Sequence, residues 1–334
     1  MAANPPSFLI INVSRIGDTL LVTPAIRAVA RAFPGAAITF AGHPKRCEVV
    51  RHLPFVSAVK EITKNWARLL GHRRRQRYDF AIVYGFDLPL VKYALRVAKR
   101  VVAFRQNDAA INKRLYRAVE PPPFQSMHSA RVPLLLTQAL DIAPDGHRLA
   151  YQVTERERAW AVTFLQQQVP AGKHPLIGLQ AASFPTKAYR DWPVPHFAAL
   201  CEKILRAYPQ AHFLLLGGKE ESAKIRELEK CLGDHATVVA GKLRLRQTAA
   251  LMQQLDLYVG VDTGPTHLAG AIGVPMVALY HCYSPGRLLA PLDRDKLQVV
   301  EHPAVDAGGT IQSDMAEITV ERVWGAVQAL LKNP

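Results

Sequence analysis

LDLYVGVDTGPTHLAGAIGVP, residues 255–275, reads from left to right as a buried strand, a tight turn and a helix. The apolar, β-branched run ends at Val261, and proline at 265 suits the first turn of a helix, where no backbone N–H is missed. Asp262-Thr263-Gly264 form the turn between them. Their N–H groups point out of the helix start, which carries about half a positive charge and suits an anion. Thr263 and Thr266 add hydroxyls, and His267 lies in the first turn, within reach of the same anion. The residues by themselves are better explained by capping, with Asp262 or Thr263 as N-cap and Gly264 as a turn glycine. After the helix, Gly273-Val-Pro275 leads into another apolar run, so strand, helix and strand form one βαβ unit.

The same alternation runs through the whole chain. Strands are expected at 8–13, 37–41, 56–62, 80–84 and 100–104, then at 176–179, 212–216, 237–239, 255–261, 276–279 and 297–300. Helical patterns such as 19–33, 88–98, 195–207, 220–232 and 246–254 fill the gaps. This predicts an α/β protein with parallel sheets. Its 334 residues exceed what one core usually supports, so two Rossmann-like domains facing a central cleft are the simplest architecture. The Pro- and Gly-rich stretch 167–175 is the expected linker. It divides the chain into domains 1–168 and 169–318, with a C-terminal helix over 319–334 able to pack back on the first domain.

Charge separates the halves. The chain carries 42 Lys+Arg against 27 Asp+Glu. Residues 1–168 hold 25 against 11, a net +14, while residues 169–334 hold 17 against 16, a net +1. The first half is therefore expected to meet an anionic partner, with Arg73 in the densest run, His72–Arg77, and Arg105 and Arg131 downstream. The opening residues MAANPPSFLIINV lack the basic region of a signal peptide, and no apolar run approaches the roughly 18 residues of a membrane span. A cytoplasmic protein is expected, with the inner-membrane leaflet in reach as a peripheral contact. The four cysteines are scattered without a C-x-x-C pair and are read as reduced and structural. His, Cys and carboxylates show no metal-ligand spacing.

The first strand runs into Ser14-Arg15-Ile16-Gly17-Asp18. Only one glycine lies in this turn, so the dinucleotide fingerprint G-x-G-x-x-G is absent and a dehydrogenase is disfavoured. Asp18 caps the helix that follows or serves as a base at a cleft, and the two are compatible.

D-T-G-P-T-H-L-A (262–269), its continuation to Tyr280, and R-I-G-D (15–18) before a Thr- and Pro-containing helix together resemble glycosyltransferase family 9, the ADP-heptose:lipopolysaccharide heptosyltransferases. The specific motifs occupy a few short windows of a likeness spanning residues 8 to about 325. The resemblance implies a GT-B fold and inverting transfer from ADP-L-glycero-D-manno-heptose to the Kdo/heptose inner core. It implies Asp18 as catalytic base and a donor site at Asp262, Thr263, Gly264 and His267. Relatives carry a basic residue two places before Trp-Pro that binds the donor phosphates. Here it is Arg190, where lysine is commoner, with Ser183, Thr186 and Lys187 as further phosphate contacts. Glu220 or Glu221 corresponds to the acidic ribose partner, and the loop Gly241-Lys242-Leu243 meets the adenine. His128-x-x-Arg131 corresponds to an acceptor-side motif, with Arg15 beside Asp18. A base for the attacking hydroxyl and fixed positive charge for the departing diphosphate suffice for this chemistry, so neither metal nor cofactor is expected. The alternatives are a related transferase using another nucleotide sugar or a protein acceptor, and a basic nucleic-acid-binding protein. The near-neutral second half and the lack of a recognised nucleic-acid module speak against the last, so no nucleic acid is expected.

Overall fold

A computed structural model describes residues 5–70, 76–219 and 222–331. The chain forms two units, residues 1–152 and 153–334. The first contains β1 (Ser7–Asn12), β2 (Ala37–Gly42), β3 (Ala58–Glu61), β4 (Tyr78–Tyr84), β5 (Ala98–Phe104) and β6 (Arg117–Val119). They form one parallel sheet in the order β3-β2-β1-β4-β5-β6. Alternate residues face opposite sides. Leu9, Ile11, Ala81, Val83 and Val101 meet the helices Lys64–Leu69 and Leu88–Val97 on one face. On the other, Phe8 stacks on Phe80 at 5.0 Å and lies against Phe33, just past helix Thr23–Ala32.

The second unit contains β7 (Leu176–Gln180), β8 (His212–Leu216), β9 (Ala236–Val238), β10 (Leu257–Val261), β11 (Met276–Tyr280) and β12 (Leu297–Glu301). Its parallel order, β12-β11-β10-β7-β8-β9, repeats that of the first unit. In each, strand order reverses beside the first strand: between β1 and β4, and between β7 and β10. Ligands of such sheets bind at the carboxyl ends of the strands at this switch point.

All eleven expected strands form. The additional β6 is a three-residue edge strand, too short for periodicity to signal. Two boundaries differ from expectation. Helix Glu155–Gln168 belongs to the second unit, because Arg246 of helix Leu245–Met252 pairs with Glu157, with Nη2 2.6 Å from Oε2. Thr154 starts that helix by exchanging hydrogen bonds with Glu157. The Pro/Gly stretch after it is a turn into β7, not the linker, and the division falls at 152/153. The C-terminal helix Val320–Leu331 belongs to the second unit. Val323 and Val327 are buried in the core with Trp192, Phe197 and Ile318, and Lys203 pairs with Glu321 at 2.7 Å. No helix among the described residues is long and apolar enough to cross a membrane.

Candidate active site

At the switch point of the second unit, Asp262 follows the end of β10 and helix Gly264–Ile272 opens behind Thr263, its N-cap, with Pro265 in the first turn. The turn is locked from below. Thr266 Oγ1 donates to the Val261 carbonyl and lies 2.9 Å from the Tyr258 hydroxyl. The Tyr258 ring crosses over Gly260, where a Cβ would stand 2.4 Å from the phenol oxygen; only glycine fits beneath it. The Thr266 hydroxyl is thus fully buried and committed to the turn, and does not serve as an anion donor. Thr263 Oγ1 lies 3.4 Å from both the Val261 carbonyl and Thr266 Oγ1, on a half-buried residue at the helix mouth.

Asp262 is 3% exposed. Its Oδ2 lies 2.6 Å from Nη1 of Arg190, which reaches across from the loop after β7. The N–H direction is off the line to that oxygen, so the contact is an ion pair more than an aligned hydrogen bond. The same guanidinium donates to the Asp262 carbonyl (3.4 Å), to Ser284 Oγ (3.1 Å) and, from Nε, to the Tyr189 hydroxyl (3.1 Å). Tyr189 OH and Ser284 Oγ lie 3.3 Å apart and close the ring of contacts. Burial pushes the Tyr189 phenol up, but the hydrogen bonds to Ser284 and Arg190 and the charges of Arg190 and Lys187 outweigh it and leave the phenol acidified. The result is a cation fixed in front of a helix N-terminus, at the place where open α/β sheets bind anions. Asp262 itself would repel a phosphate; its place in this geometry is to hold Arg190.

The other expected donor residues divide. Thr186 is exposed and Lys187 half-buried on the 3-10 segment Pro185–Arg190, with Lys187 Nζ 5.8 Å from the Tyr189 ring centre. Ser183 is buried and spent within the loop: its hydroxyl lies 2.6 Å from Asp191 Oδ1 and 2.8 Å from the Lys187 carbonyl. It braces the loop and is not presented to a ligand. Asp191 is held in turn by Lys224 at 2.6 Å. His267 is buried in the first helical turn, with Nε2 3.8 Å from Asp262 Oδ1. Leu243 lies half-buried in the loop after β9. This loop meets the one after β8, where Gly241 (φ +68°) sits so close to Lys219 that a Cβ would approach its Cγ to 2.9 Å. Glu220 and Glu221 lie outside the described residues. Tyr189, Asp191, Lys224 and Ser284 were not anticipated. Two of them flank Arg190 in sequence, but nothing local announces that Ser284, 94 positions away, completes its binding.

In the first unit, Asp18 is the third residue of helix Ile16–Leu21, immediately after β1 at the switch point. It is exposed, and its Oδ2 accepts from the Arg15 amide at 3.3 Å. The capping is one-sided, because an arginine side chain has no acceptor to return. Asn12, buried at the end of β1, donates to the Asp18 carbonyl at 3.3 Å. Asp18 is therefore a helix cap that also faces solvent at the ligand-binding end of the sheet. Arg15, the N-cap, is exposed beside it.

Besides Arg15, the expected acceptor residues each have their own local setting. Arg105 is paired with Glu120 at 2.6 Å on the surface. His128 is buried, and its Nδ1 accepts from the Ala130 amide at 3.1 Å, so its ring braces the turn that precedes exposed Arg131. Arg73 falls outside the described residues. A cavity of about 110 Å³ bordered by Phe8, Phe80, Arg100, Tyr116 and Arg117 sits at the amino ends of the strands, away from the switch point. Among the described residues no group of three or more His, Cys, Asp and Glu side chains could hold a metal ion.

Two parallel sheets in this order, each with polar side chains at its switch point, define the paired Rossmann-like units of a GT-B glycosyltransferase. The chain belongs to glycosyltransferase family 9 (heptosyltransferase), whose sequence model matches residues 66–307. It is 26% identical over 295 residues to lipopolysaccharide heptosyltransferase 1 of Pseudomonas aeruginosa, covering 83% of this chain and 79% of that one. In fold it is similar to a family 9 glycosyl transferase from Veillonella parvula, with a TM-score of 0.84 at 19% identity over 100% and 99% of the two chains. It is similar also to the ADP-heptose lps heptosyltransferase II of E. coli, with a TM-score of 0.78 at 21% identity over 98% of each.

Proposed function

We propose that the protein transfers a heptose from ADP-L-glycero-D-manno-heptose to the Kdo/heptose inner core of lipopolysaccharide, with inversion at the anomeric carbon. Family membership and relatives that are lipopolysaccharide heptosyltransferases support the reading. The single observation that carries it is Arg190, clamped between Asp262, Ser284 and Tyr189 before the N-terminus of helix Gly264–Ile272. A diphosphate placed there meets a guanidinium and backbone N–H groups already oriented, so charge gathering on departing ADP needs no reorganisation. In this reading Lys187, Thr186 and Thr263 add contacts, Leu243 borders the adenine, and Glu220 or Glu221 takes the ribose hydroxyls.

Asp18 takes the proton of the attacking acceptor hydroxyl as the new C–O bond forms and the bond to the diphosphate breaks. The basic first unit holds the phosphates and carboxylates of the acceptor, with Arg15 nearest the base. Because side chains and a helix terminus supply the positive charge, the transfer needs no metal ion, and ADP-heptose is a substrate, not a cofactor. The enzyme works in the cytoplasm, peripherally at the inner membrane.

The test is incubation of the purified protein with ADP-heptose and defined truncated core acceptors, in the presence of a chelator, with mass and anomeric configuration of the product read by NMR. A product of retained configuration, strict dependence on added metal, or turnover only with another nucleotide sugar would overturn the corresponding part.

A further inference from the structure

The six-residue helix Lys64–Leu69 turns apolar side chains into water. Trp66 is 47% exposed, Leu69 73%, and Leu70, its C-cap, 45%. Spacings of three and four place them on one face, while Ala67 points inward and is fully buried. The face is held and not frayed. Thr63 Oγ1 accepts from the Trp66 amide at 3.2 Å, and Lys64 pairs with Asp87 at 2.6 Å. At the far end Arg96 donates from Nε and Nη2 to the Leu70 carbonyl, at 3.1 and 2.8 Å, and from Nη2 to that of Ala67. The orphan carbonyls of the last turn are thereby satisfied by a side chain.

Lys64 and Arg68 belong to the same helix, and Arg96 binds its end. Arg68 and Arg77 are exposed and have no carboxylate partner among the described residues. The unit they belong to, residues 1–152, holds 23 Lys+Arg against 9 Asp+Glu, so the net +14 survives the corrected boundary. Three apolar side chains are too few for a stable protein interface, which takes about 20–30 residues a side. A bilayer needs no such area: tryptophan and leucine enter the headgroup–acyl boundary while arginines meet anionic headgroups.

We propose that this face docks the chain on an anionic phospholipid bilayer. The docking deepens the proposed function, resting on it only in that a lipid-anchored acceptor gives the attachment a use. Asp87, the partner of Lys64, caps the helix after β4, and β4 is the neighbour of β1, whose loop carries Asp18. The helix starts beside Asp87, at the carboxyl end of the sheet where Asp18 lies, and runs towards the amino end, where Arg96 holds Leu70 just before β5.

Trp66 is the only tryptophan in residues 1–152, and the other three are buried or half-buried, so it reports its own insertion. The full-length protein is mixed with vesicles of phosphatidylcholine alone or with phosphatidylglycerol, each carrying brominated acyl chains. Sedimentation and tryptophan quenching are then measured. Partition onto anionic vesicles should exceed that onto neutral ones by at least about tenfold, with Trp66 quenched. Leu69→Gln/Leu70→Gln should lower partition about tenfold and leave transfer to a water-soluble acceptor unchanged. Equal binding to both vesicles, undiminished binding of the double variant, or sedimentation without quenching would overturn the proposal. No vesicle binding, with a smaller oligomer in the leucine variant, would assign the face to a second copy of the chain instead. Failure of transfer with docking intact would overturn the heptosyl reading alone.

Discussion

Replacing Arg190 by alanine should damage two properties that a second substitution can separate. Asp262 is 3% exposed and its Oδ2 lies 2.6 Å from Arg190, so the truncation strands a buried carboxylate. Breaking one side of such a pair costs about 3–5 kcal/mol. The Arg190 side chain is itself 20% exposed, which lets water partly replace it and places the cost near the lower end, at about 3 kcal/mol. For a unit spanning residues 153–334 that lowers Tm by roughly 6–12 °C. The same guanidinium faces the proposed diphosphate, and losing hydrogen bonds to a charged group costs about 1.5–3 kcal/mol, or roughly ten- to 150-fold in the Kd for ADP. Arg190→Ala/Asp262→Asn removes the stranded charge as well, so most of the lost Tm should return while the weak ADP binding persists. Calorimetric unfolding and ADP titration of the two variants read both quantities. If Arg190→Ala leaves Tm and Kd unchanged, or if the double variant regains ADP affinity, the idea of Asp262 as anchor and Arg190 as phosphate ligand fails.

Asp18→Asn should lower kcat by at least about a hundredfold while the ADP Kd stays within a factor of two or so; a variant retaining most activity removes Asp18 as base. Acid should destabilise the second unit through His212, whose pKa burial lowers to about 4 from an ordinary 6.5. Above 6.5 the group is neutral in both states. Below it the unfolded chain binds the proton first, so stability is lost progressively between pH 6.5 and 4, about 3 kcal/mol in all, and His281, also lowered by burial, acts in the same direction. Chemical unfolding across that window checks this, and a His212→Gln variant whose pH slope matches the parent would contradict it. Added salt should raise KM for the acceptor more steeply than KM for ADP-heptose, because the +14 lies in the first unit; equal slopes would make the asymmetry a solubility feature.

The sequence by itself determined the fold class and where to look. Buried parallel strands are near-continuous apolar runs, so β1, β4, β7, β10 and β11 announce themselves, and the turn 262–264 between strand and helix is legible because proline and glycine have few other uses there. Asp18 and Arg190 were likewise visible, each directly beside a strand–helix junction or a Trp-Pro entry. Only the tertiary structure decided what the polar groups do. Ser183 and Thr266 have the chemistry of phosphate ligands, but their hydroxyls are taken by Asp191 and by the Val261 carbonyl, and Asp262 is spent on Arg190. The Pro/Gly stretch 167–175 has the composition of a linker, but Arg246 draws the preceding helix into the second unit through Glu157, 89 positions away. Composition and periodicity record what a segment wants from its nearest neighbours. A hydrogen bond or ion pair between residues far apart in the chain is settled by which loops the sheet order brings together, and no local pattern carries that information.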